Sequence, residues 1–284
     1  MATPPYRLLL LDIDGTLLNE QGQITPRTRR AVAAAQAAGV VVALATARRH
    51  YSATQFAADL GLHGPVVSYD GALIRQHPSG EHWHSDPLPA VTGQAAVDAI
   101  ARHGLQPLAQ YNQEDGERVL TGPHDKDTPW MGNYYDLYAA QFERHALGEL
   151  CVGKGDPLRI VAFGPLERLE PIAAELRPLP CQLYLNPQGS YGTAELSVMS
   201  LTTSKGNALS VLSSRLRLTH EQSMALGDSF NDMSMLRLAG LGVAMGQAPP
   251  EVQAVAGAVS LPNTEDGAAC AIERYLLGSE APEA

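Results

Sequence analysis

Leu8-Leu9-Leu10-Leu11 runs without interruption into Asp12-Ile13-Asp14-Gly15-Thr16, and no other stretch limits the fold so tightly. Four consecutive leucines cannot alternate between core and water. They describe a strand buried on both faces, as in a parallel sheet covered by helices. A second stretch repeats the design: Met224-Ala225-Leu226-Gly227 is apolar and ends in Asp228-Ser229-Phe230-Asn231-Asp232. Ligands of open α/β sheets sit beyond the carboxyl ends of the strands, where both acidic turns belong. Two carboxylates ~4 Å apart repel by roughly 4 kcal/mol at an effective dielectric near 20. A hard cation removes that cost, and Mg²⁺ suits a few carboxylates together with a phosphate. The pattern points to metal-assisted phosphoryl chemistry.

Around these two turns the chain alternates strand and helix. Residues 8–11, 40–44 and 66–68 read as strands, with helices near 26–39 and 49–60 between them. Thr25-Pro26 supplies an N-cap and a proline at the first helical position. Segments 71–75 and 82–84 read as a hairpin. From about residue 86 strict alternation lapses. Helices are expected at 92–103 and 166–176, short strands at 107–111, 118–121, 158–163 and 182–185, and an aromatic-rich stretch covers 130–142. Alternation resumes near Glu195, with a helix at 204–216, a strand at 224–226 and a helix at 231–238. The expected fold class is α/β: a doubly wound, mostly parallel sheet from residues 1–85 and 190–284, with an α+β domain inserted over 86–189.

Thirty acidic residues against twenty basic ones give a net charge of -10. That balance argues against nucleic acid or an anionic membrane surface as partner. An anionic substrate must then be met by local cations. Cys151, Cys181 and Cys270 form no C-x-x-C pair and read as reduced thiols. Arg7–Leu11 is too short for a signal-peptide core, and no apolar run approaches ~20 residues, so a cytoplasmic location is expected.

Each candidate residue has a chemical reason. Asp12 and Asp14, two apart on an extended chain, point to the same side. Asp12 is suited to attack phosphorus, forming an aspartyl phosphate. Asp14 is suited to protonate the leaving alcohol and later to deprotonate water. Gly15 lets backbone amides approach the phosphoryl oxygens. Thr46 ends the second strand with a hydroxyl donor, and Lys205 opens a helix whose dipole reinforces its charge. Asp228 is expected to hold the metal, with Asp232 either a ligand or one step behind, and Asn231 to donate to phosphate. His77, His82 and His84 read as surface residues, and Trp130, Tyr134, Tyr135 and Tyr138 as core of the inserted domain.

In this order, D-I-D-G-T-L, the strand-terminal Thr46, Lys205-Gly206 and G-D-S-F-N-D resemble the haloacid dehalogenase superfamily. Asp70-Gly71-Ala72, the central insertion, Val243–Gly246 and Glu265–Gly267 narrow the likeness to Cof-type phosphatases of subclass IIB, with a C2B cap. The resemblance implies a Mg²⁺-dependent phosphohydrolase acting on small phosphorylated metabolites such as sugar phosphates or phosphorylated cofactors. It makes Asp12 the nucleophile and Asp14 the acid/base, with the Asp14 backbone carbonyl on Mg²⁺. Thr46, Lys205 and Asn231 then contact phosphate; Asp12, Asp228 and Asp232 serve the metal. Two positions depart from the family pattern: Ala47 stands where glycine is usual, and Asp70 where asparagine is. Arg48 and Asp70 are candidates to face the substrate. The alternatives are a phosphomutase of the same superfamily and a receiver-like phospho-accepting domain; Asp14, a base placed to drive hydrolysis, argues against the latter.

Overall fold

The computed structural model describes residues 4–278 other than 114, 115, 139, 140, 188 and 190. They divide into two compact units, one running up to His84 and onward from Ser204, the other from Ser85 to Thr203. The strands in chain order are β1 (Leu8–Leu11), β2 (Val41–Ala45), β3 (Pro65–Ser68), β4 (Leu73–Gln76), β5 (His82–Ser85), β6 (Leu108–Gln113) and β7 (Gly116–Thr121). They continue as β8 (Phe142–Arg144), β9 (Arg159–Gly164), β10 (Cys181–Asn186), β11 (Ala194–Ser200), β12 (Ser223–Gly227), β13 (Leu241–Ala244) and β14 (Ala258–Val259).

The first unit holds one sheet in the order β14-β13-β12-β1-β2-β3-β4-β5. Pairing is parallel from β14 to β3, and β4 turns back antiparallel on β3. β1 is central: Leu11 lies opposite Leu226 of β12 on one side and Leu44 of β2 on the other. All four leucines are fully buried. Leu9 and Leu11 pack into one core with Val32 and Ala35, while Leu8 and Leu10 face Leu209 and Leu212 in another. This is why the run tolerates no polar residue: helices cover both faces. On the first face is the helix Pro26–Ala37, where the Thr25 hydroxyl oxygen accepts the Thr28 amide at 3.2 Å. On the second is the helix Lys205–Leu216.

The second unit is a six-stranded sheet in the order β10-β11-β9-β6-β7-β8, antiparallel except between β7 and β8. Helices Ala90–Arg102 and Leu166–Leu176 contribute to one core cluster, and Met131, Tyr134 and Phe163 form a second. The Tyr134 ring lies tilted 5.1 Å from Phe163 and edge-on 4.9 Å from Tyr191, so Tyr134 is core, and Trp130, Tyr135 and Tyr138 pack partly buried against the same cluster. Residues 139 and 140 of that stretch lie outside the described residues.

Two boundaries differ from the sequence expectation. Alternation seemed to resume near Glu195, but β11 is hydrogen-bonded antiparallel between β10 and β9, so the inserted unit runs to Thr203 and not to 189. An isolated strand carries no mark of which sheet it will join. The helix expected from Asn231 begins at Met233, because Phe230–Asp232 forms a tight turn braced by the Asp232 carboxylate. Among the described residues no helix is long and apolar enough to cross a membrane. The three cysteines are buried and free.

Buried on both sides of its strand, Leu10 has nowhere to relax. Leu10→Ala is expected to cost about 2–5 kcal/mol in urea denaturation. Leu201→Ala, at a residue 61% exposed, should stay within about 0.5 kcal/mol; equal losses would contradict this packing.

Candidate active site

The carboxyl ends of β1 and β12 are tied together: the Asp12 amide donates to the Leu226 carbonyl at 3.1 Å. Asp12 is 4% exposed. Beyond it the chain turns at Gly15, whose φ is +80°. A Cβ on Gly15 would lie 2.2 Å from Asp228 Oδ2, so only glycine lets the two acidic turns come this close.

Asp232 organises the second turn. Its Oδ2 accepts the Asp228 and Ser229 amides at 3.0 and 2.9 Å, and the Ser229 hydroxyl lies 3.1 Å away. Its Oδ1 faces the Lys205 ammonium at 2.5 Å. That ammonium also donates to Asp12 Oδ1 at 2.6 Å, and Lys205 is fully buried. Ser204 caps the helix that Lys205 opens by accepting the Asn207 amide. Gly206 follows because a Cβ there would meet the Ser234 backbone at 2.9 Å.

Burial alone would push the Lys205 ammonium toward deprotonation; the Asp12, Asp232 and Asp70 carboxylates outweigh it and hold the pKa above the ordinary lysine value. Burial likewise raises Asp12 well above the usual carboxylate range, reinforced by Asp232, Asp228 and Asp14 and opposed by Lys205. Asp228 is pushed up to about 7, by burial first and then by Asp232, with Lys205 opposing. The acidic side chains outnumber the cations beside them.

One carboxylate oxygen each from Asp12, Asp228 and Asp232 lies within 4.8 Å of the others. Hard oxygen donors, mutual repulsion and partial desolvation fit a small divalent cation that keeps positions for water or phosphate. Asp232 suits the supporting role better than direct ligation, since Oδ2 is fully engaged and Oδ1 faces Lys205.

Asp14 is placed differently from Asp12. Its side chain is 46% exposed and makes a two-pronged pair with Arg48, at 2.6 Å and 2.7 Å. Arg48 also donates to Ser52 Oγ and lies over the Phe56 ring. Arg48, expected to face a substrate, is directed onto Asp14, the candidate acid/base. Thr46 is 1% exposed; its hydroxyl oxygen accepts the Arg48 amide at 3.1 Å, and its carbonyl accepts the Asp70 amide. Asp70, also expected to face the substrate, is 3% exposed and accepts the Asn231 side-chain amide at 2.7 Å.

Two contributors escaped sequence reasoning. Gln247 donates to the Gly15 carbonyl at 2.6 Å and accepts the Asn263 amide, bracing the turn that follows Asp12. It directly follows Val243–Gly246, so reading that motif one residue further would have found it. Ser229 bonds both Asn231 and Asp232; a serine in a turn gives no separate signal.

The model of the haloacid dehalogenase-like hydrolases matches residues 9–272, and the chain belongs to that family. It is 28% identical to the phosphatase YwpJ of Bacillus subtilis, over 95% of this chain and 100% of that one. It is 26% identical to the pyridoxal phosphate phosphatase YbhA of Escherichia coli, over 95% and 99% of the two chains. The crystal structure of a haloacid dehalogenase-like hydrolase from Bacteroides thetaiotaomicron superposes with a TM-score of 0.79 at 28% identity, covering 95% of this chain and 99% of that one.

Carboxyls raised in the folded state stabilise it below their unfolded pKa and lose that contribution as pH rises through the folded value. For Asp228 that loss spans roughly pH 4 to about 7. Metal-free protein is therefore expected to melt lower at pH 8 than at pH 5.5, and Mg²⁺ to raise the melting temperature more at pH 8. An equal Mg²⁺ effect at both pH values would contradict the assignment of these carboxylates to a metal.

Proposed function

We infer, from membership of this hydrolase family and from the site just described, that the chain is a Mg²⁺-dependent phosphatase of small phosphate monoesters. The observation that carries the reading is the buried Lys205 ammonium held between Asp12 and Asp232, with the Asp228 carboxylate alongside. Held by Lys205, Asp12 attacks phosphorus: an Asp12 oxygen–phosphorus bond forms as the ester oxygen–phosphorus bond breaks. The departing alcohol takes its proton from Asp14. Water then attacks the same phosphorus, giving its proton to Asp14. The Asp12–phosphorus bond breaks, and inorganic phosphate and the free carboxylate are restored.

Asp12, Asp228 and the Asp14 backbone carbonyl would hold Mg²⁺, which when bound supplies positive charge to the phosphoryl oxygens, while Asp232 anchors Lys205 and the turn. An ammonium has three donors and Lys205 spends two on carboxylates, so the third is assigned to phosphate. The Thr46 hydroxyl and the second Asn231 N–H join it. Phosphoryl transfer leaves charge on the equatorial oxygens, and placing donors there is most of what a protein can contribute.

Hydrolysis is preferred to a phosphomutase reaction because the relatives named above are phosphatases and Asp14 is a base placed to activate water. The substrate class proposed is a sugar phosphate or a phosphorylated cofactor, the latter supported by the pyridoxal phosphate phosphatase among the relatives. Residues 85–203 are assigned as the C2B-type cap that selects it, in line with their α+β sheet.

p-Nitrophenyl phosphate should be hydrolysed with Mg²⁺ and not in excess EDTA. Asp12→Asn, nearly identical in shape, is expected to lose at least about 1,000-fold in kcat, and Asp14→Asn about 100–10,000-fold. Undiminished turnover by Asp12→Asn would reject the mechanism.

A further inference from the structure

We propose that Gln247 is a positioning residue for the acid/base Asp14, bracing the backbone of its turn so that the carboxyl stays aimed at the leaving oxygen; the inference rests on the phosphatase reading above. Asp12 and Asp14 are placed by different means. Asp12 closes a buried strand and is held by Lys205. The Asp14 side chain is 46% exposed, so packing does not fix it. Its direction depends on the turn that carries it.

That turn is fastened on two sides. Asp14 has φ −81° and ψ 119°, and Gly15 φ 80° and ψ −4°, the angles of the two central residues of a type II turn. On one side the Thr16 hydroxyl reaches Asp228 at 3.5 Å, and the Leu18 amide donates to the Ile13 carbonyl at 3.1 Å. On the other, two side-chain amides take backbone carbonyls: Gln247 Nε2 donates to Gly15 at 2.6 Å, and Asn263 Nδ2 to Leu18 at 2.7 Å. Gln247 Oε1 also accepts the Asn263 backbone amide at 3.1 Å. A donor bond at one end and an acceptor bond at the other leave the Gln247 amide a single orientation. Its footing is close-packed: a Cβ on Gly246 would lie 2.8 Å from the Pro262 nitrogen, and the Gly246 amide donates to the Leu261 carbonyl. The segment after β13 and the segment around Asn263 thus act as one clamp on the turn.

Arg48 also holds Asp14, but it grips the carboxylate. That ion pair weakens each time Asp14 takes up a proton, because the neutral acid has lost its charge and part of its accepting capacity. The bond from Gln247 ends on a backbone carbonyl, which does not titrate. It therefore persists through both halves of the reaction. In the first, the Asp14 proton passes to the ester oxygen as its bond to phosphorus breaks; in the second, Asp14 takes a proton from the attacking water. An exposed glutamine serving one carbonyl adds little stability, since water would serve that carbonyl as well. What water does not supply is direction.

p-Nitrophenyl phosphate and phenyl phosphate are similar in shape, but the weakly basic p-nitrophenolate leaves far more readily without a proton. The ratio of their kcat/KM values therefore reports how well the acid is placed. Gln247→Met, close in length and without an N–H donor, is expected to raise that ratio about ten-fold in favour of p-nitrophenyl phosphate. Gln247→Glu keeps the acceptor for Asn263, loses the donor to Gly15, and should raise it similarly. Partial unfolding lowers both rates alike, so a destabilised variant does not mimic this result. An unchanged ratio in both variants overturns the proposal. Asp14→Asn, measured alongside, keeps the two claims apart. If Asp14→Asn raises the ratio and the Gln247 variants do not, only the role of Gln247 falls. If Asp14→Asn leaves the ratio unchanged, or wild type with Mg²⁺ hydrolyses neither ester, the reading on which the proposal rests falls with it.

Discussion

A lysine ammonium without solvent contact, bonded to two carboxylates, is the constraint on which this site depends. Removing three charged groups from water costs several kcal/mol per ion after relaxation, and only close, multiple contacts return it. Lys205 meets Asp12 at 2.6 Å and Asp232 at 2.5 Å, so the contacts are as close as hydrogen bonding allows. Loss of any member leaves an uncompensated buried charge. Asp12 lies 193 positions from Lys205, and Lys205 lies 27 from Asp232, so their meeting is a property of the whole first unit.

The sheet accomplishes that meeting. β1 lies between β12 and β2, so the turns after these strands flank the one that carries Asp12. β12 contributes Asp228 and Asp232, β2 contributes Thr46 and Arg48, and the helix after the inserted unit brings Lys205. Glycines at 15, 71, 206 and 227 set how near these segments lie, because a Cβ at each would enter a neighbour's space. Packing and chemistry are therefore one problem here: the same close approach that concentrates carboxylates also creates the need for a cation.

Much of this was legible from residue order. The leucine run, the two acidic turns, Lys205-Gly206 and the capped helix after Thr25 each announce themselves locally, because backbone and burial demands act on adjacent residues. What escaped depends on distant partners. Arg48 looked like a substrate contact, yet its partner Asp14 lies thirty-four positions away. Asp70 was read as an added negative charge near the site; its bond to Asn231, 161 positions away, carries no mark in the local sequence. β11 was given to the wrong unit for the same reason, since a strand's own composition is indifferent to which sheet it completes.

The central claim is that a carboxylate held by Lys205 becomes covalently attached to phosphorus during turnover. Protein quenched during steady-state hydrolysis and reduced with borohydride should yield a homoserine derived from an acyl phosphate, located by peptide mass spectrometry. The account expects that homoserine at position 12 and at no other aspartate. Its appearance at another residue, or its absence while phosphate is released at full rate, would contradict the account.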